Sequence, residues 1–571
     1  MTDGLCRKKL KTMTFTASVT AAMSLVITLT DDVVIGQLLN EQAVGGVNLV
    51  APFQTFTVFL TMLICCGATS CMIAEMGRFN RKGNDAYFTN GIVLSLAVGV
   101  ILFAAAFILD DVYFGYLNAD SVSYMYALEY FRYYPLIVLI YPIYSFLQQS
   151  IYIDGDEKLY FISYAIQFSA NAVLSVVFAK WLGISGVSLG SVVATALAVV
   201  SLIPHFSGKE CDLKLNFKTN VEMLRNIAEN GIVGASPMLF ASVLTALINR
   251  FFISSFGDEQ LPVLAVAANI QGMSALLNAV GAASSPLIAL YDGESNTRQL
   301  RDIISFSSRL VFISSILFSL LTVLFAPWLV KLFGITEPGL YKNALFVSRI
   351  IPISFVFTAY YNLIFSYHTS VGPLSYALYS SIVADIIVPG LLVFPLSVII
   401  GINGLWIAFT VAPALALLLI VFPVYRRFGF VASPFLLYKE NIPHVLFYKI
   451  QLTPDNIIKL QTKVSRQLSR FPISSSTKNH VDLLIEEILM LVLEKNPGKT
   501  LCAECTVIIS DDITLVLKDD GILFDVTNID LQVSSLRSYT LSQLMKYHEH
   551  RTYMTTTLCC NRNVFRLPLD T

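Results

Sequence analysis

Charge is scarce in this chain, and its absence from long stretches is the first constraint on what the protein can be. Asp, Glu, Lys and Arg make up 13% of 571 residues, about half the share usual for soluble domains. Mean hydropathy is +0.67. A chain that is soluble throughout is excluded. A formal net charge of -1 leaves no basic excess to hold a nucleic acid. The nine cysteines supply little metal or redox chemistry. Cys502 and Cys505 make a CxxC, with Cys559-Cys560 further along, but no histidine is spaced to complete a zinc set. Cys65, Cys66 and Cys71 sit in an apolar helix, where free cysteine behaves as a small hydrophobe. The first apolar stretch is too long for a cleavable signal peptide and lacks the small-residue cleavage pattern.

What is present is a series of apolar runs. A spanning helix needs roughly 20 apolar residues. Twelve such runs are read near 13–39, 47–72, 86–109, 125–149, 159–181, 185–206, 231–256, 262–290, 303–330, 342–367, 375–399 and 403–425. With the N-terminus inside, the inner connections collect Arg7, Lys8, Lys9, Lys11, Arg78, Arg81, Lys82, Lys158, Lys209, Lys214, Lys218, Arg225, Arg298, Arg301, Arg426 and Arg427. The outer connections and their edges hold only Lys180, Lys331 and Lys342, beside the acidic Asp110, Asp111, Asp258 and Glu259. That asymmetry predicts both termini in the cytoplasm, with the chain embedded in the lipid of the cytoplasmic membrane.

The runs are duplicated. Arg132, Pro135, Tyr144 and Gly155 recur as Arg349, Pro352, Tyr361 and Gly372 at a constant offset of 217. Gly183-Ile184-Ser185-Gly186-Val187 recurs as Gly401-Ile402-Asn403-Gly404-Leu405 at 218. Six spans per copy is an even number, so both copies enter the membrane the same way up. The expectation is two parallel repeats, an N-terminal lobe at 1–218 and a C-terminal lobe at 219–436, joined by the polar segment 207–230. Duplicated sets of membrane helices are the signature of secondary transporters, whose sites lie where the repeats meet.

Ionisable groups within spans are costly and need a reason. Asp31 lies ~12 Å from the outer end of the first helix. Asp32 follows it at ~100°, so the two cannot both face inward. The fifth span carries Ser163, Gln167, Asn171 and Ser175 at i, i+4 spacing, one polar stripe with Asn171 at the depth of Asp31. Such a carboxylate, facing amide and hydroxyl groups, can take a proton or sodium; Asp31, Gln167, Asn171 and Ser175 are the candidate coupling site. Small polar residues are also ordinary glue between membrane helices. Asn249 occupies the repeat position of Asp31, so the second lobe has lost that charge. Asp385 is its remaining buried acid. Asn249, Gln271, Asn278 and Asp385 are the candidate substrate cavity, with Ser274 beside them. The symmetric Arg132 and Arg349 read as lobe-packing residues.

Asp31-Asp32-Val33-Val34-Ile35-Gly36, Gly77 to Gly83, Tyr130 to Arg132 and Asp154-Gly155-Asp156-Glu157-Lys158 carry a resemblance. In order and placement they resemble the multidrug and toxic compound extrusion (MATE) family over about 10–430. The resemblance implies two six-helix lobes forming a V, and cation-driven export by alternating access. Where one branch of that family carries a second Asp four residues after the Asn of helix five, this chain has Ser175.

The tail reads differently. Residues 445–568 predict a cytoplasmic α+β domain, with helices at 454–470, 478–495 and 536–547 and strands at 505–509, 513–518 and 563–567. His480 to Asn496, with Glu486-Glu487, and Asp519-Asp520-Gly521-Ile522-Leu523-Phe524-Asp525 resemble two motifs of the histidine-kinase-type ATPase fold, closest to the anti-sigma-factor kinases. The resemblance implies a catalytic Glu at Glu487, a magnesium-binding Asn four residues later and an adenine contact at Asp519 with Gly521. The Asn position holds Leu491, and the phosphate loop corresponds to Ser538-Tyr539-Thr540-Leu541, which has no glycine. The domain is therefore read as degenerate and non-catalytic.

Together these readings predict an all-α polytopic membrane protein with a small α+β tail. Its expected activity is secondary export of organic compounds, driven by Na⁺ or H⁺ with no tightly bound cofactor. The tail regulates it or docks a cytoplasmic protein, acting through the connection at 426–445. A lipid-linked saccharide flippase and a membrane-anchored signalling protein are the alternatives from other classes.

Overall fold

A computed structural model describes every residue except 1–4, 78–79, 118–121, 155, 208–210, 212, 372–373, 429–443, 511, 527–550, 556–559 and 569–571. Twelve helical segments are long and apolar enough to cross a bilayer. Numbered as spans 1 to 12, they are Leu5–Leu38, Ala51–Glu75, Arg81–Ile108, Tyr134–Ile153, Lys158–Leu182, Ile184–Phe206, Val221–Phe256, Leu261–Gly293, Thr297–Leu332, Pro338–Ser370, Leu374–Ile400 and Ile402–Arg426. Each coincides with one of the runs expected from the sequence. The described residues divide into two compact units. One holds 16–282 and 307–436; the other gathers 1–15, 283–306 and 437–571.

In the first unit the duplication is visible in the backbone. Near Arg132 and Pro135 a helix ends at Phe131 and span 4 begins at Tyr134. At the equivalent place in span 10, around Arg349 and Pro352, the α-helix Pro338–Ile350 gives way to a 3-10 turn at Ile351–Ser354. Proline lacks the N–H that would continue the ladder, so both copies break at the same point. The arginines play a different part from the one expected: both are exposed rather than packed into a lobe. Gly183 and Gly401 have φ of 64° and 75°, in the left-handed region that favours glycine, and open spans 6 and 12. Three residues on, a Cβ at Gly186 would meet Phe178 O at 2.1 Å, and one at Gly404 would meet Leu396 O at 2.0 Å. The paired Gly155 and Gly372 lie outside the described residues.

Asn269 of span 8 bonds Asp32 of span 1, and span 2 packs along span 7. Spans 2 and 7 approach through glycine: a Cβ at Gly67 would sit 2.0 Å from Ile227 O, and one at Gly231 would sit 1.9 Å from Leu63 O. At the far end of span 1, Gln37 Nε2 donates to Lys331 O and Leu332 O at 2.6 and 2.9 Å. A Cβ on Gly36 there would lie 2.2 Å from Phe333 O. Gly36→Val should therefore hold this end apart. With cysteines at Gln37 and Lys331, we expect disulfide trapping to fall several-fold in the Gly36→Val background; equal yields would show that the glycine contact does not control closure.

In the second unit a five-stranded antiparallel sheet has the order β1-β2-β3-β5-β4, with β1 His444–Gln451, β2 Cys502–Ile509, β3 Asp512–Asp519, β4 Arg551–Thr555 and β5 Asn561–Pro568. One face packs on helices Pro454–Leu468 and Ser475–Lys495 through Ile457, Leu460, Leu484, Ile488, Leu515 and Phe565. The outer two strands, β1 and β4, were not expected from the sequence. The predicted helix at 536–547 and the loop Ser538 to Leu541 lie outside the described residues. Cys502 and Cys505 are three apart on one strand, so they project to opposite faces and cannot share an ion.

Candidate functional site

The polar stripe and the acid of span 1 meet in the N-terminal copy. Asp31 is half-buried and takes five side-chain partners from four residues. Tyr130 Oη donates to Oδ2 at 2.8 Å, and Ser191 Oγ lies 3.1 Å from Oδ2 and 3.3 Å from Oδ1. Asn171 Nδ2 and Ser175 Oγ each stand 3.4 Å from Oδ1. Asn171 Nδ2 also donates to Ser191 Oγ at 2.7 Å. Asn171 Oδ1 is buried with no hydrogen-bond partner, an acceptor beside a carboxylate and two hydroxyls. Oxygen-rich surroundings of this kind suit a small hard cation or a proton.

Two expected residues fall where the spacing put them, and one does not. Asn171 and Ser175 reach Asp31, whereas Gln167 turns to Thr195 Oγ1 at 3.5 Å. Tyr130 and Ser191 complete the site, but no expectation named Ser191. A lone serine in an apolar span carries no signal that separates a ligand from helix glue. Asp32 points elsewhere: its Oδ2 accepts from Asn269 Nδ2 of span 8 at 2.6 Å.

The C-terminal copy has exchanged the position of its acid. At the offset of 218, Asp31, Asn171, Ser175 and Ser191 correspond to Asn249, Pro389, Val393 and Phe409, so neither the acid nor its three partners are repeated there. Asn249, expected to line a cavity, is instead 1% exposed and donates to Asn48 O at 3.4 Å. By the same offset Ser163 and Gln167 correspond to Ser381 and Asp385. In the first copy Ser163 Oγ sits 3.4 Å from Tyr144 Oη. In the second, Tyr361 Oη and Ser381 Oγ donate to Asp385 Oδ2 at 2.7 and 2.9 Å. Asp385 lies in a π-helical stretch, Val383–Ile387; such insertions recur where a helix must re-aim a functional side chain. Span 8 is interrupted by a 3-10 turn, Met273–Leu277, with Gln271 and Asn278 exposed on either side and Ser274 buried. Asn278 accepts from Asn362 of span 10.

The chain belongs to the MatE family. Its family model matches residues 17–177 and 237–392, together more than half of the chain. The multidrug export protein MepA of Staphylococcus haemolyticus (strain JCSC1435) is 22% identical over 326 residues, covering 55% of this chain and 71% of that protein. A multidrug resistance MATE family transporter of the MOP superfamily, solved in an inward-facing conformation, is similar at TM-score 0.64 with 18% identity, covering 69% of this chain and 92% of the other. A MOP superfamily transporter from Pyrococcus furiosus Vc1 (DSM3638), whose binding pocket is described as having reversed polarity, gives 0.61 and 18%, covering 73% and 94%. This MATE protein is a multi-pass membrane transporter and not an enzyme.

The tail sheet holds a charged row that the sequence did not disclose. Register places Lys449, Glu504, Lys518 and Arg562 side by side across β1, β2, β3 and β5. They share the face opposite the apolar core, where Lys518 is fully buried. Its Nζ lies 2.8 Å from Glu294 Oε2 and 3.8 Å from Glu504 Oε2, and 3.9 Å from the Tyr291 ring centroid. Arg562 Nε meets Glu294 Oε1 at 3.2 Å, Tyr291 Oη donates to Glu504, and Lys449 Nζ donates to Gln299 at 3.0 Å. At the rim of the sheet Lys8 pairs with Asp520 at 3.2 Å. The sheet thus grips residues 291–299 and the start of the first helix. The expected link, 426–445, lies mostly outside the described residues.

Leu491 is 5% exposed and belongs to the apolar core of the tail. Glu487 lies half-buried on the same helix. Asp519 Oδ1 accepts from Asn561 Nδ2 at 2.8 Å and Gly521 N at 3.0 Å, while its buried Oδ2 has no hydrogen-bond partner. Burial pushes the Asp519 carboxyl up to about 6. A raised acid stabilises the fold fully below its unfolded pKa, and that contribution is lost as pH rises through about 6. Asp519→Asn removes the cost of ionisation and keeps an acceptor for both donors. It should raise hydrogen-exchange protection of β3 and β5 by about 3 kcal/mol at pH 8, with no gain below pH 4. A gain independent of pH would exclude Asp519 ionisation as its cause.

Proposed function

We propose that this MATE protein is a secondary exporter of organic compounds in the cytoplasmic membrane, with both termini in the cytoplasm, driven by the inward flow of H⁺ or Na⁺ through Asp31. The observation that carries the reading is the Asp31 cluster: a carboxylate within a span, met by Tyr130, Asn171, Ser175 and Ser191. Occupancy by a cation neutralises Asp31 and alters what those four groups bind, which re-packs the N-terminal lobe and changes access. The second copy cannot do the same at Asn249, so Asp385 serves a different step, as a substrate contact or second cation site. Gln271 and Asn278, exposed polar residues around the turn in span 8, line the substrate path. Both are neutral amides, which suits organic compounds better than the anionic carriers a saccharide flippase handles.

The tail acts by contact. Leu491 in place of a metal-binding amide supports a domain that does not turn over nucleotide, and the charged row supports docking to 291–299. Purified full-length protein given ATP and Mg²⁺ should release no phosphate above background; magnesium-dependent hydrolysis would promote the signalling alternative. The transport reading is tested in proteoliposomes by substrate-induced flux. Adding exported compounds should move H⁺ or Na⁺ in the opposite direction, whereas substrate movement indifferent to both gradients would remove coupling.

A further inference from the structure

Far from Asp31, three segments of the N-terminal lobe bring together a mixed nitrogen, oxygen and sulfur set. Asp154 caps the end of span 4, His205 sits in the last turn of the sixth-span helix, and Cys211 lies in the segment that follows. Their ligand atoms all lie within 4.8 Å of one another. His205 Nε2 is 2.8 Å from Asp154 Oδ2, and Nδ1 is 3.3 Å from Asp156 Oδ2. The His205 and Asp154 side chains are 4% and 3% exposed. We propose that Asp154, His205 and Cys211 bind one Zn²⁺ ion, with Asp156 orienting the histidine.

The donor chemistry favours zinc. Thiolate, imidazole and carboxylate together are its ordinary ligands, and three of them leave a fourth position for water. Bonds of about 2.0–2.3 Å put neighbouring tetrahedral ligands about 3.3–3.8 Å apart. With all ligand atoms within 4.8 Å, the Asp154–His205 pair at 2.8 Å would open slightly and the set would draw together around the ion. Zinc-bound histidine commonly gives its other N–H to a carboxylate, and Asp156 stands there already. Asp156 is itself held: its Oδ1 accepts from Leu159 N at the start of span 5.

The set is not demanded by the repeat. At offsets of 217 and 218, Asp154, Asp156 and His205 correspond to Val371, Pro373 and Pro423, none able to ligate. The first lobe has acquired these groups beside a turn the second keeps apolar. Cys211 opens the segment that leads to span 7, and Lys214 N and Asn216 N bond Asp85 and Thr89 of span 3. An ion here would staple the link between the repeats to the turn between spans 4 and 5.

The test uses full-length protein in detergent, metal-stripped and titrated with Zn²⁺, then with Co²⁺ as an optical probe. Wild type should bind Zn²⁺ and show a cobalt–thiolate charge-transfer band. Cys211→Ser should lose the band, and His205→Ala should weaken Zn²⁺ by at least tenfold. Asp156→Asn should weaken it about 10-fold to 100-fold, as for other outer-shell carboxylates. Cys502→Ser should change nothing. Cys211→His, which supplies another ligand, should restore Zn²⁺ affinity without the thiolate band and so guard against a simple folding defect. Equal Zn²⁺ affinity in wild type, Cys211→Ser and His205→Ala would overturn the site, as would no binding to wild type. His205 would then be a structural histidine held between the carboxylates of Asp154 and Asp156.

Discussion

Asp31→Asn is expected to lower ion-driven transport about 100-fold, at the upper end of the 1–3 kcal/mol by which coupled sites usually communicate. The amide is nearly isosteric: its oxygen still accepts at one position, and its NH2 at the other can donate to a neighbouring hydroxyl oxygen. The protein should remain folded and inserted, and its transport should lose its dependence on the gradient. Ser191→Ala and Asn171→Ala remove one donor each from a charged acceptor, worth about 1.5–3 kcal/mol apiece. They should cut coupling roughly tenfold or more. Asp32→Asn should matter less, because the Asp32 carboxylate takes its hydrogen bond from Asn269 of span 8. Proteoliposomes with imposed H⁺ or Na⁺ gradients read all four variants. Normal, gradient-dependent transport by Asp31→Asn would move attention to Asp385.

Lys518→Met is expected to be the most damaging change in the tail. It leaves Glu294 and Glu504 facing each other in a buried site, where removing one partner typically costs about 3–5 kcal/mol. Glu294 keeps Arg562, and Glu504 keeps only the Tyr291 hydroxyl and a distant row mate. Protection of 291–299 from hydrogen exchange should collapse while the β2–β3 pairing survives. Adding Glu294→Gln should recover part of the loss, since fewer charges are then stranded. The ion requirement of transport should not change in either variant. If Lys518→Met leaves exchange at 291–299 untouched, the charged row does not hold the tail.

The transporter fold was largely legible because its physics is one-dimensional. A run of ~20 apolar residues spans a bilayer whatever its partners. The breaks at Pro135 and Pro352 were not legible: the runs 125–149 and 342–367 pass straight through them, because apolar composition continues where the helix stops. Asp31, Asn171 and Ser175 were legible because a carboxylate within a span is costly enough to announce itself. Ser191 was not, because serine is cheap anywhere in a helix bundle. Asn249 misled for the complementary reason, since its repeat position recorded ancestry while its new neighbours buried it.

In the tail, legibility failed at register. Glu504 and Lys518 are visible as charges in apolar strands, but which residue stands opposite which depends on pairing β1, β2, β3 and β5. With β1 unrecognised, Lys449 had no row to join. Glu294 and Tyr291 sit more than 200 residues from their partners, as Tyr291 and Glu504 show.

The most direct measurement is cation binding to purified protein, independent of any substrate. Wild type and Asp31→Asn, in the same detergent, are titrated with Na⁺ at fixed pH while bound sodium and released protons are both recorded. The account predicts that wild type takes up one Na⁺ or releases one H⁺ that Asp31→Asn does not, with the difference reduced in Asn171→Ala and Ser191→Ala. Identical sodium and proton curves in wild type and Asp31→Asn would contradict it.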